Sequence, residues 1–274
     1  FLGLKQNDEN FMVIDGQQRL KSAYYYIVGK FISNGVESIF SLKNLKNRDW
    51  NNLTYDELDD KIKKRIRNAV INTTIIEDID SKPDVVHDLF HRLNTGGMPL
   101  TDQEIRNCVY SGAFNLQLID LNKNLNWRTL LGATVPDKRL RDTELVLRFF
   151  SLLHNIDVYK PAMKIFLSEF QDNNKDNTGF LVENKRLFET TVSLIAENIG
   201  SDAFKTTRAI NKSISDAIMV SIAQILREGN TPVNISANYK KLIVDHEFIK
   251  YTQSGTTTPT NVKNRIDLAR NYFK

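Results

Sequence analysis

FMVIDGQQRLKSAYYYIV, residues 11 to 28, decides how this chain is read. A short apolar run stops at Asp15, and Gly16 follows. Gln17, Gln18 and Arg19 then open a segment whose apolar positions, Leu20, Tyr24, Ile27, Val28 and Phe31, recur at helical spacing. The run predicts a short buried strand, and the spacing predicts a helix from Gln17. The hand-over passes through Asp15 and Gly16. Gly16 permits a tight turn or a close approach of backbone to a ligand. The first amides of a helix have no intrahelical acceptor, and the dipole at that end favours an anion. Arg19 adds a planar fork of donors suited to phosphate. Asp15 is placed to hold a metal ion or to orient water. A second reading stands beside this one: Asp15 to Gln18 is also an N-cap pattern, with Asp15 as cap and glutamine at the third position. The stretch is not a P-loop, because it lacks the second glycine and the Gly-Lys-Ser/Thr ending.

Around this junction the first hundred residues mix strand and helix signals. Residues 53 to 67 predict a helix whose acidic start and basic end suit its dipole. Residues 69 to 76 are β-branched and predict a second strand. Val85, Val86, Leu89, Phe90 and Leu93 predict a helix over 83 to 94, which "NTGGMPL" breaks. Thr101 with Glu104 then forms a capping box that starts another. Beyond residue 112 the strand signals stop. Helical patterns run over 114–123, 138–154, 161–171, 181–199, 211–228, 237–250 and 261–273, separated by polar links such as "QDNNKDNTG". The expected architecture is an α/β domain over 1–112 and an all-α domain over 113–274, predominantly helical overall.

Length and composition bound the function classes. The chain has 274 residues, 41% hydrophobic and 26% charged, an ordinary globular balance for one large domain or two modest ones. A net charge of +4 permits a polyanionic partner without requiring one. Cys108 is the single cysteine, which excludes a disulfide framework and a cysteine zinc site and fits a reducing, cytoplasmic compartment. No apolar run is long enough to predict a membrane-spanning helix. The opening "FLGL" reads as the middle of a segment, so a missing N-terminal piece is expected.

Three further stretches could carry chemistry. In "HRLNTGGMPLTDQE", Asn94 ends a helix, and Gly96 and Gly97 allow positive φ. This is either a helix corner or a loop that approaches a ligand. His87 and His91 stand one helical turn apart, as in zinc proteases. Asp88 replaces the usual glutamate base and no third ligand is present nearby, so solvated helix histidines are expected. In "KRLRDTELVLRFFSLL" an otherwise apolar helix carries one polar stripe of Arg141, Glu144, Arg148 and Ser151. Buried charges need partners. The stripe is either a Glu144–Arg148 pair braced by Arg141, or the basic wall of a phosphate or DNA cleft.

"VIDGQQRL", taken together with "LFHRLNTGGMPLTDQEIRN" some way downstream, resembles the N-terminal domain of GmrSD-type type IV restriction enzymes. The resemblance rests on Asp15, Gly16, Gln17, Gln18 and Arg19 and on Phe90, Leu93, Asn94, Gly96 and Gly97. It implies a ParB/sulfiredoxin-like fold that binds and hydrolyses a nucleotide at the strand–turn–helix signature, with Mg²⁺, as part of bacterial defence against phage. On that basis Asp15, Gln18 and Arg19 are the expected catalytic residues, with Asp15 the weak candidate for Mg²⁺. Gly16, Gln17, Asn94, Gly96 and Gly97 are the expected nucleotide contacts, and Arg141 and Arg148 are further phosphate or DNA contacts. The expected partners are a nucleotide, DNA and a separate nuclease or modification protein, with no membrane. The chain has four histidines and lacks the His-Asn-His nuclease pattern of multi-domain members. The alternative functions are a non-catalytic DNA-binding or regulatory module, and a nuclease built on the ParB-like part.

Overall fold

The computed structural model describes residues 2–5, 11–33, 36–46, 48–76, 100–205, 207 and 209–274. The chain forms two compact units, residues 1–80 and 81–274. The first contains Leu2–Lys5 (β1), Phe11–Asp15 (β2), Gln17–Val28 (α1), Lys30–Ser33 (β3), Val36–Ile39 (β4), Asp60–Arg67 (α2) and Thr74–Ile76 (β5). β1 lies at the centre of a three-stranded sheet, antiparallel to β2 and parallel to β5. β3 and β4 form a separate antiparallel hairpin. The strand and helix expected on either side of Gly16 are both present.

Other expectations for this unit need correction. The helix expected over 53–67 begins only at Asp60, because Asp59 caps it: its Oδ1 accepts from the amides of Lys61 at 2.8 Å and Ile62 at 3.1 Å. Just upstream, the Glu57 carboxylate accepts from the Thr54 amide and hydroxyl at 2.7 and 2.9 Å and holds a turn there. The strand expected over 69–76 is regular only at Thr74–Ile76. On α1 the buried residue is Tyr26, while Tyr24, Ile27 and Val28 are exposed. Tyr26 meets Phe40 and Tyr55 edge to face, with ring centroids 5.9 and 5.8 Å apart. With Tyr55 and Leu58 it forms the buried centre of the unit, flanked by half-buried apolar side chains such as Trp50 and Ile62. The helix expected over 83–94 lies outside the described residues.

The second unit is helical: Asp102–Val109 (α3), Ala113–Leu121 (α4), Leu125–Leu131 (α5), Arg141–Asn155 (α6), Met163–Asn174 (α7), Thr178–Asn198 (α8), Lys212–Arg227 (α9), Ile235–Leu242 (α10), His246–Gln253 (α11) and Pro259–Phe273 (α12). α9 is buried on nearly every side, from Ser213 to Ile225, and packs against α6, α8, α11 and α12. A helix apolar all round its surface belongs in such a central position. Phe114, Phe149, Phe150, Phe188 and Trp127 fill the space around α6 and α8 with edge-to-face contacts. The helix expected over 237–250 is two helices. Asp245 starts the second, its Oδ1 accepting from the amides of Glu247 and Phe248 at 2.9 and 3.0 Å.

α3 belongs to this helical unit, although the sequence placed the domain boundary at residue 112. The expected capping box is formed: Thr101 Oγ1 accepts from the Glu104 amide, and Glu104 Oε2 accepts from the Thr101 amide at 2.7 Å. Arg106 then donates to Glu144 on α6 at 2.6 Å, and Arg139 donates to Glu104 at 3.0 Å. These charge pairs, one built on the buried Arg106 and the other half-buried, tie residues 101–109 to the later helices. Among the described residues no helix is long and apolar enough to cross a membrane.

Candidate functional site

The junction between β2 and α1 is built from backbone first. Asp15 closes β2 opposite Leu2 of β1, and Leu2 also pairs with Thr74 of β5. The β1–β2 register shifts between Leu2 and Gly3, directly beside Asp15. Such irregularities bend a strand end and re-aim the adjoining turn. Gly16 is the N-cap of α1, with φ 91° and ψ 7°, and is buried. That left-handed conformation strains residues that carry a Cβ, so glycine is favoured here.

This corrects the simple capping pattern. Asp15 is a strand residue, and the cap position is occupied by Gly16, which has no side chain to offer to the first-turn amides. The first intrahelical bond runs from the Leu20 amide to the Gly16 carbonyl at 2.9 Å. The first turn contains no acidic side chain, so its positive end is not neutralised from within. Gln18 and Arg19 are exposed on that turn. The Ser22 hydroxyl donates to the Gln18 carbonyl at 2.8 Å and braces the helix one turn further on. The arrangement pairs the first-turn amides of a helix, the positive end of its dipole, with an exposed arginine one turn in, a chemistry that accepts phosphate oxygens.

The other sequence-derived candidates fall elsewhere. Asn94, Gly96, Gly97, His87 and His91 lie outside the described residues. Arg141 and Arg148 belong to the helical unit, and the expected polar stripe of α6 is divided among separate partners. Arg148 is 6% exposed and binds Asp216 through two bonds, Nε to Oδ1 at 3.0 Å and Nη2 to Oδ2 at 2.5 Å. Arg265, itself buried, donates to the same Asp216 Oδ2 at 2.7 Å. Although burial disfavours its charged form, the two guanidiniums hold the Asp216 carboxyl below the usual carboxylate range. Arg148 is therefore an internal brace between α6, α9 and α12, and the expectation that it meets phosphate or DNA is corrected. The anticipated Glu144–Arg148 pair is also replaced: Glu144 takes Arg106 and Lys212, each within 2.7 Å. Ser151 donates back to the Leu147 carbonyl at 2.8 Å. Arg141 is the exposed member, donating Nε to Asp137 at 2.5 Å.

Cys108 is buried, and burial pushes its thiol up to about 11, far from a reactive thiolate. Among the described residues no group of three or more His, Cys, Asp or Glu side chains is arranged to hold a metal ion. Sequence reasoning missed Arg128, Lys205 and Lys212, which line one cavity of the helical unit together with Arg141. No local motif joins them, since they come from α5, a loop and the start of α9.

Residues 2–111 match the family model described as GmrSD restriction endonuclease, N-terminal domain. The matched segment includes the β2–α1 junction and both motifs that carry the resemblance. It covers less than half of the chain, ends one residue before the boundary expected from sequence, and runs past the division between the two compact units. No curated protein and no solved structure matches the chain.

Proposed function

We propose that the N-terminal part is a ParB/sulfiredoxin-like nucleotide-binding domain that hydrolyses a nucleoside triphosphate, in a cytoplasmic restriction or phage-defence system that surveys DNA. The observation that carries this reading is Gly16, held left-handed between a strand end and an acid-free first helical turn, inside the segment that matches a restriction endonuclease domain. The amides after Gly16 and the Arg19 guanidinium would hold the phosphates, with Gln17 beside them. Gln18 would position water, and Asn94, Gly96 and Gly97 would close over the nucleotide. Asp15 would supply the hard oxygen that Mg²⁺ prefers, and the first helical turn beside it carries no acidic residue to compete with the phosphates. When bound, Mg²⁺ would neutralise charge on the phosphate oxygens. Catalysis in such a site comes from positioning and charge stabilisation. A separate nuclease or modification protein would act on the DNA.

A thermal-shift screen of nucleoside triphosphates with Mg²⁺ tests the binding step. Selective binding raises the unfolding midpoint by mass action, and Arg19→Ala removes most of the rise. Identical midpoints with and without every nucleotide contradict the reading.

A further inference from the structure

The helical unit contains a cavity of about 640 Å³, within the range of roughly 300–1,000 Å³ common for small-molecule sites. Its charges are unevenly matched. Asp142 is saturated: Oδ2 accepts from Arg128 Nη1 at 2.7 Å and from the Asp137 amide at 2.8 Å, and Oδ1 accepts from the Thr143 amide at 2.8 Å. Asp137 is occupied by the Arg139 amide and by Arg141 Nε. Lys212 shares Glu144 with the buried Arg106, two cations to one carboxylate. Lys205 has no carboxylate within ion-pair distance among the described residues.

The cations at the wall are held in different ways. Arg128, 5% exposed, lines the cavity but spends both outer nitrogens internally, Nη1 on Asp142 at 2.7 Å and Nη2 on Asn122 at 3.1 Å. The Lys205 ammonium lies over Gly132, the left-handed residue that ends α5, so close that a Cβ there would stand 2.8 Å from Nζ. The glycine thus gives the ammonium its place at the cavity wall. Arg141 commits only Nε to Asp137 and is 69% exposed, so its outer nitrogens face solvent. Leu131, Val135 and Ile210 supply apolar lining beside these donors.

From this we infer that the cavity binds a phosphate group through Arg141, Lys205 and Lys212, with the apolar lining covering the body of the molecule that carries it. The lining sets four cations, Arg128, Arg141, Lys205 and Lys212, against two carboxylates, Asp137 and Asp142, a surplus of positive charge for an incoming dianion. The site is contained in the helical unit and does not depend on the reading of the Gly16 turn. The phosphate could be carried by a free small molecule or by a nucleic-acid backbone.

Pyridoxal phosphate with subsequent borohydride reduction locates such a site, because the phosphate docks and the aldehyde is fixed on a neighbouring lysine. With the full chain, the expected result is preferential labelling of Lys205 or Lys212 over the exposed Lys250, with protection by inorganic pyrophosphate. Arg141→Gln, at an exposed position, is expected to weaken that protection about tenfold, the weight of one hydrogen bond between charged groups. Protection by pyrophosphate but not by a short DNA duplex identifies a free phosphorylated ligand. Protection by the duplex as well, lost at high salt, identifies a backbone phosphate. Labelling of Lys205 and Lys212 no greater than that of Lys250, or labelling that pyrophosphate leaves unchanged, overturns the inference. A change of labelling confined to the first unit would bear on the Gly16 turn and leaves this cavity without support.

Discussion

In the helical unit Asp216 lies between Arg148 and Arg265, within a continuous core that runs from Phe114 to Phe273. In the first unit the buried apolar side chains among the described residues are Tyr26, Tyr55 and Leu58, surrounded by half-buried neighbours. The helical unit is stabilised by a large apolar interior and paired internal charges. Among the described residues of the first unit, edge-to-face aromatic contacts join Tyr26 to Tyr55 and Phe40. A ligand bound to either unit raises the midpoint of that unit's unfolding by mass action. The signature turn at Gly16 is carried by the first unit, and the helical unit carries a cavity rich in cations.

The chain has two tryptophans, Trp50 in the first unit and Trp127 in the second, so each unit can be followed separately in single-tryptophan variants. The largest effect is expected from Asp216→Ala, which leaves two buried arginines without their carboxylate. It should cost about 3–5 kcal/mol, read as a shift of the Trp127 transition in urea. A change below 1 kcal/mol (about a tenth of ordinary domain stability) would mean the network is not a brace. Leu58→Ala is expected to cost about 2–3 kcal/mol in the Trp50 transition and to leave the Trp127 transition in place. Equal shifts of both transitions would break the comparison. Thr101→Ala removes the cap of α3 and should lower the Trp127 transition by about 1 kcal/mol.

The smallest effect is a pH slope. Burial holds His154 below its ordinary range, although its Nε2 lies 2.6 Å from Asn184 Oδ1. The unfolded chain then takes up the proton first as pH falls. The contribution of His154 is complete above roughly pH 6.5, is lost as pH falls below that value, and levels off beneath the folded pKa. His154→Gln should flatten this part of the Trp127 stability profile. An unchanged slope would assign it to another group.

Local signals made part of this molecule legible. The Asp15-Gly16 hand-over, the Thr101–Glu104 box and most helices after residue 112 arise from short-range rules of turn, cap and period. β1, β3 and β4 were not read, because short strands are fixed by partners rather than by their own pattern. α5 was missed because it is a short helix closed by Gly132, although Asn124 accepts from the Trp127 amide at its start. The role of Arg148 was misread because its partner Asp216 is distant in sequence and lies on another helix. The cationic cavity was invisible for the same reason, since Arg128, Arg141, Lys205 and Lys212 meet only after the helices pack. At Gly16 the sequence correctly marked the turn, while the left-handed cap that separates Asp15 from the helix emerged only from the backbone geometry.

Phosphate release by the full chain with Mg²⁺ and each nucleoside triphosphate tests the central claim most directly. The account predicts turnover with at least one nucleotide, reduced about a hundredfold or more in Asp15→Ala and Arg19→Ala, the scale of losing an electrostatic contact to the transition state. Arg148→Lys, which alters only the internal brace, should retain turnover wherever the protein remains folded. No release with any nucleotide, or release that both substitutions at the β2–α1 junction leave unchanged, would contradict it.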